Sequence, residues 1–110
     1  MQQSVNKALI IGHVGADPKG VSFKDGNMIT SFSVATNESW KDRNGKKQEN
    51  TQWHNIVVKG RLADIALRHI KKGSHIYIEG SVKTRKYNDL NNRPVYITEI
   101  HAHSFQDINY

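Results

Sequence analysis

Apolar residues in this chain arrive in short alternating runs cut off by Gly, Asn and Asp, and only one stretch repeats at helical spacing. That rhythm limits the fold to short strands joined by tight turns, with a single helix among them. Lys7 to Val14 reads as a first strand, with Gly12 and Gly15 predicting a bulge or sharp bend before Asp17-Pro18 ends it. Lys24-Asp25-Gly26-Asn27 is a hairpin-type turn, because Asp and Gly tolerate the positive φ that such turns require. A second strand runs from Met28 to Thr36, with Phe32 and Val34 on one face. Lys41 to Asn50 is polar throughout and contains Asn44-Gly45, which predicts a long exposed hairpin loop, and Thr51 to Lys59 is a third strand. The helical stretch is Arg61 to Lys72, where Leu62, Ile65, Ala66, His69 and Ile70 share one face. Lys71 and Lys72 suit its negative C-terminal end, and Gly73 suits the left-handed cap. Ser74 to Arg85 is a fourth strand, Asn88 to Asn92 a turn-rich loop, and Val95 to Phe105 a fifth strand.

Five strands with one short helix between the third and fourth describe an all-β chain. That order, β-β-β-α-β-β, is that of the five-stranded Greek-key barrel known as the OB fold. The 110 residues suit one domain spanning 1–110, with no repeat or linker dividing it. The absence of cysteine excludes a disulfide framework, a thiolate metal centre and a thiol nucleophile. A net charge of +6 in so small a chain points to an anionic polymer or surface as partner. A membrane is not expected, since the longest apolar run, Ala8 to Ile11, is far too short to span one. Met1-Gln2-Gln3-Ser4 has neither the charged nor the apolar region of an export signal.

Cations gather at two predicted hairpin loops: Lys41, Arg43, Lys46 and Lys47 at one, and Lys83, Arg85, Lys86 and Arg93 at the other. These are half of the 16 Lys and Arg, and in an OB barrel those hairpins flank one groove. Loops are also charged simply because they are solvated. The aromatic placement separates the two readings. Trp40 stands just before the first basic loop, Trp53 just after it, and Tyr87 directly after Arg85-Lys86. A tryptophan can cap a barrel end, but three rings beside cations fit stacking platforms for unpaired bases, with the cations tracking phosphates.

Catalysis is not expected. Glu79 and Glu99 are possible acids, yet no phosphate loop, nucleophile elbow or paired-carboxylate motif is readable. His101 and His103 share a strand face but lack a third ligand in the spacing, so no metal and no other cofactor is predicted.

Successive blocks of the chain resemble the bacterial and mitochondrial single-stranded-DNA-binding protein family. They are Val5-Asn6-Lys7, Gly12 through Gly15 to Asp17-Pro18, Ala35 to Trp40, and Trp53-His54. Further along come Gly60-Arg61-Leu62-Ala63, Lys72-Gly73-Ser74, and Ile76 to Gly80 with Thr84-Arg85-Lys86-Tyr87. The resemblance implies a cytoplasmic OB-fold protein of bacterial, plasmid or phage origin, usually a homotetramer. It implies coating of single-stranded DNA without sequence preference in replication, repair and recombination. On that pattern Trp40, Trp53 and Tyr87 stack on bases, and Lys7, Lys41, Arg43, Arg61, Lys72, Arg85 and Lys86 contact phosphates. Lys7, His54, Tyr77 and Glu79 match positions at or near subunit contacts. The chain departs from the pattern at Lys59, where members often carry an aromatic, and at Asn55, where a basic residue is common. Lys59 therefore offers the groove a point charge for a phosphate and no platform for a base. The chain also stops at Asp107 to Tyr110 where bacterial members carry an acidic-tipped extension, so partners recruited by such a tail are not expected. The alternatives are a dimeric OB-fold accessory protein of replication restart, a cold-shock-type RNA-binding module and a metal-dependent nuclease.

Overall fold

The computed structural model describes residues 3–108. The expectations that rest on Met1-Gln2 and Asn109-Tyr110 lie outside the described residues. The strands are β1 (Ala8–Val14), β2 (Lys19–Ser22), β3 (Met28–Lys41), β4 (Lys47–Lys59), β5 (His75–Asn88) and β6 (Pro94–Asp107), with α1 (Arg61–His69) between β4 and β5. The sheet order is β1-β5-β6-β4-β3-β2, and β1 pairs with β3 as well. That second pairing closes β1, β5, β6, β4 and β3 into a five-stranded barrel with β2 left on its edge. The all-β OB architecture is therefore the observed one. β2 is the unexpected element: its four residues are all exposed and hold one bulky apolar side chain, Val21, so hydrophobic alternation gives no sign of it.

Closure needs backbones to approach closely, and glycines permit it. β1 runs beside β5 from Ala8 to His13 and beside β3 at His13 and Val14. A Cβ on Gly12 would lie 2.2 Å from the Ala35 carbonyl oxygen. Gly12, where a bulge or sharp bend is expected, thus marks the seam where β1 changes partner. A ladder irregularity between β5 and β6 falls at Glu79/Gly80, where a Gly80 Cβ would meet the His101 carbonyl oxygen at 2.3 Å. Inside, Ile10, Val14, Phe32, Val34, Ile56, Val58, Ile76, Ile78 and Ile100 form the core.

The helix closes one side of this core with Ala63, Ala66 and Ile70. The buried stripe is turned from the expected one: Ile65 and His69 are exposed, and Ala63 is fully buried. A small residue there lets α1 approach β3, so that the Thr30 hydroxyl donates to the Ala63 carbonyl at 2.7 Å. The helix also stops at His69, before Lys72, because Ile70 is already extended. Gly73 has φ 87° as expected of it, but it serves the turn from Lys71 to Ser74 and not the helix cap.

Beyond the core the strands continue as two antiparallel ribbons. β3 and β4 stay paired out to Lys41 and Lys47, and β5 and β6 out to Asn88 and Pro94. Half of the long loop expected from Lys41 to Asn50 is therefore ladder, closed by the turn at residues 42–46. Asp42 makes that turn: its carboxylate accepts from the amides of Asn44 and Lys46 at 2.9 and 3.0 Å, and Gly45 takes φ 74°. Asp89 repeats the device, accepting from Asn91 and Arg93 at 2.9 Å each, with Asn92 at φ 59°. The Lys46 and Asn44 amides, with Gln48, hold the Asp42 carboxyl below the usual carboxylate range against the opposing effect of desolvation. The protruding ribbons explain a radius of gyration of 16.5 Å, against about 13 Å for a compact chain of this length.

Candidate nucleic-acid interface

Strand alternation sorts the exposed side chains onto two faces. Where Thr30, Phe32 and Val34 point into the core, Ile29, Ser31 and Ser33 point outward and line a groove. Asn55, Val57 and Lys59 of β4 line it too, as do Ser81, Lys83 and Arg85 of β5 and Ile97, Glu99 and His101 of β6. The groove thus lies over the short parallel seam between β4 and β6, flanked by the two ribbons. Followed outward along the ladders, the same face carries Trp53, Lys41 and Lys47 on one ribbon and Tyr87 on the other. Trp53 is 59% exposed and Tyr87 44%, so both side chains are open to solvent.

Two details fix these groups. Gly15 donates its N–H to the Ser33 carbonyl at 3.0 Å, and the Trp53 indole lies over it: a Cβ there would be 2.4 Å from Cζ3. In the groove floor Glu99, only 8% exposed, takes the Arg85 Nε at 3.2 Å on one oxygen and the His101 Nε2 at 3.3 Å on the other. A guanidinium held through Nε still directs its two terminal nitrogens toward a second partner, which suits a phosphate.

The remaining site residues do not all join this face. Trp40 is 50% exposed, but it lies an odd number of positions from Ala35, the ladder partner of Trp53, and so occupies the opposite face of the β3–β4 ribbon. Lys86 likewise faces away from Arg85 and Tyr87. Arg43 sits in the Asp42 turn. Arg61 opens α1 two residues after Lys59, whereas Lys72 lies past the far end of the helix, its amide donating to Asp17 at 2.8 Å. Lys7 is ion-paired with Glu79 at 3.0 Å. The anchoring by Glu99 and the place of His101 were missed from sequence. Only the alternation of β6 relative to Arg85 could have signalled them.

Lys7 belongs with the residues matched to subunit contacts. Its carboxylate partner Glu79 also accepts from the Tyr77 hydroxyl at 2.6 Å. That bond, then Lys7, holds the Glu79 carboxyl below its usual range, and the same bond raises the Tyr77 hydroxyl above its own. Leu9 and Ile11, the cross-strand partners of Glu79 and Tyr77, are about half exposed, and the His13 and His75 rings stack 4.5 Å apart beside them. His54 lies elsewhere, on the Trp40 face of β4, bonded to the Thr36 hydroxyl at 2.9 Å.

Among the described residues no group of three or more His, Cys, Asp or Glu side chains is placed to hold a metal ion. No helix among them is long and apolar enough to cross a membrane.

A closed barrel with two cationic, ring-bearing ribbons beside one groove defines an OB-type oligonucleotide-binding module. The profile of the single-strand binding protein family matches residues 5–108, and the chain belongs to that family. The chain is similar to Plasmodium falciparum SSB, solved in complex with ssDNA, at 34% identity and a TM-score of 0.90 over 99% of each chain. A deletion mutant of the single-stranded DNA binding protein from Thermus aquaticus shares the fold, with a TM-score of 0.83 at 21% identity. That alignment spans 96% of this chain and 51% of the other.

Proposed function

We propose that this protein binds and coats single-stranded DNA without sequence preference, and that residues 1–110 act as one binding domain. The observation that carries this is the shared face of the two ribbons. Trp53 and Tyr87 offer exposed rings there, interleaved with Lys41, Lys59 and Arg85 along one groove. A ring accepts the face of any base, at about 1–3 kcal/mol per base, and the cations need only a phosphate, so neither group reads sequence. A duplex hides the base faces that these rings require. Trp40, Arg43, Arg61, Lys72 and Lys86 extend the contact beyond the groove as the strand wraps the module.

The replication, repair and recombination roles follow from the same chemistry, since each exposes single strands. Self-association to a homotetramer is part of the proposal. Leu9 and Ile11 beside the Lys7–Glu79–Tyr77 group supply an apolar and a polar element for subunit contact, and His54 a second contact region. Competition tests the binding reading: unlabelled dT strands should displace a labelled single strand far better than duplex of equal length, and equal competition would overturn it. Native mass measurement tests assembly, with four chains supporting the tetramer and two supporting a dimeric accessory protein.

A further inference from the structure

Alternation along the β5–β6 ribbon turns one aromatic–cation pair away from the groove. Tyr96 and Lys86 are direct cross-strand partners, each one residue out of step with the groove-facing positions Arg85, Tyr87 and Ile97. Tyr96 is 64% exposed, more than either Trp53 or Tyr87. On its own face it stands four residues from Ile100, the nearest core residue in the strand, and the intervening position is the Thr84–Thr98 hydroxyl pair at 3.1 Å. The ring is therefore not completing the hydrophobic core. It sits on a polar ribbon surface beside a cation.

The β3–β4 ribbon has the same arrangement, with Trp53 on the groove face and Trp40 on the other. Each ribbon thus bears an exposed ring on both faces. A strand confined to the groove would use only one ring of each pair.

We infer that Tyr96 is a further stacking platform for a nucleotide of single-stranded DNA, with Lys86 contacting the adjoining phosphate, on the side of the β5–β6 ribbon away from the groove. The inference rests on the single-stranded-DNA reading above. Cross-strand partners lie about 4.5–5.5 Å apart at Cβ, so one nucleotide meets both the ring and the ammonium. Tyrosine suits the role because its rigid ring has few torsions to freeze on contact. The strand reaches this face by passing around the ribbon after leaving the groove. Tyr96 should therefore matter only to strands long enough to make that turn.

The test uses the full chain with dT strands of about 8 and about 30 nucleotides, chosen within and beyond the ~4–16 nucleotides an OB fold covers. Tyr96→Ala should bind the long strand at least about fivefold more weakly and the short strand as the parent does, at the low end of measured stacking effects. Tyr96→Phe, which keeps the ring, should restore parental affinity. Photo-cross-linking of the parent to iodouridine-substituted strands should label Tyr96 with the long strand and not with the short one. Parental affinity of Tyr96→Ala for both strands, with cross-links confined to the groove face, would overturn the inference and leave the function standing. An altered oligomeric state in Tyr96→Ala with unchanged long-strand affinity would make this face a contact between copies, which also overturns it. Failure of the parent to bind either strand would instead reject the single-stranded-DNA reading itself.

Discussion

Replacing Gly15 with alanine perturbs Trp53 without touching it. The added Cβ would lie 2.4 Å from Cζ3 and 2.7 Å from Cη2 of the indole, whereas carbon pairs rest at about 3.5–4.0 Å. The ring must withdraw by roughly 1 Å or more. Because Trp53 is more than half exposed, it withdraws into solvent and not into the core. Folding stability should then change by no more than about 0.5 kcal/mol, as at other surface sites. The platform is displaced, however, and stacking contributes about 1–3 kcal/mol per base. We expect about tenfold weaker binding, equivalent to about 1.4 kcal/mol. Anisotropy of a labelled dT strand measures the affinity, and urea unfolding of the same samples checks stability. A double-mutant cycle assigns the cause: Gly15→Ala should weaken binding in the parent and add nothing once Trp53 is already alanine. Full additivity of the two substitutions would refute the reasoning, because Gly15 would then act by some route other than the indole.

Lys59 faces the groove beside Arg85 and His101. Lys59→Phe should lower the salt slope of binding by about 0.7 and bind dT more tightly than the parent at high salt, read from affinities across a salt series. Gly80→Ala would drive a Cβ into the His101 backbone at the ladder irregularity. It should destabilise by about 1–3 kcal/mol in urea unfolding, since rigid backbone cannot yield as an exposed ring can. The Glu79 carboxyl is held down by the Tyr77 hydroxyl and by Lys7, so its contribution is present above the usual value of 4.5 and is lost as pH falls through the lowered one. Thermal melting between pH 3 and 7 should show this acid loss in the parent and a flatter profile in Glu79→Gln.

The barrel was legible in the sequence because its core strands alternate: Phe32 and Val34, or Ile76 and Ile78, must face one way if they are to be buried. The ribbons were not, because neither of their faces is buried and no apolar period survives beyond Thr36 or before Trp53. Their pairing is held instead by polar contacts such as Thr51 to Asn37 at 2.7 Å and by the Asp42 and Asp89 turns. Reading those segments as loops hid the side-chain parity. Trp40 and Trp53 flank one basic segment and Lys86 adjoins Tyr87 in sequence, yet the ladder sends the members of each pair to opposite faces. The buried Glu99 was illegible for a different reason: Arg85 meets it only once β5 and β6 are in register, with His101 alongside on the same face of β6.

The central claim is that exposed rings on the groove face stack on unpaired bases while cations hold the phosphates. The most direct measurement is a titration of the intact chain with poly(dT) followed by tryptophan fluorescence at several salt concentrations. The account predicts strong quenching at saturation and an affinity that falls with salt by about 0.7 in log–log slope for each phosphate engaged. Saturable binding that leaves the tryptophan emission unchanged would contradict it, because the indoles would then be bystanders to the DNA.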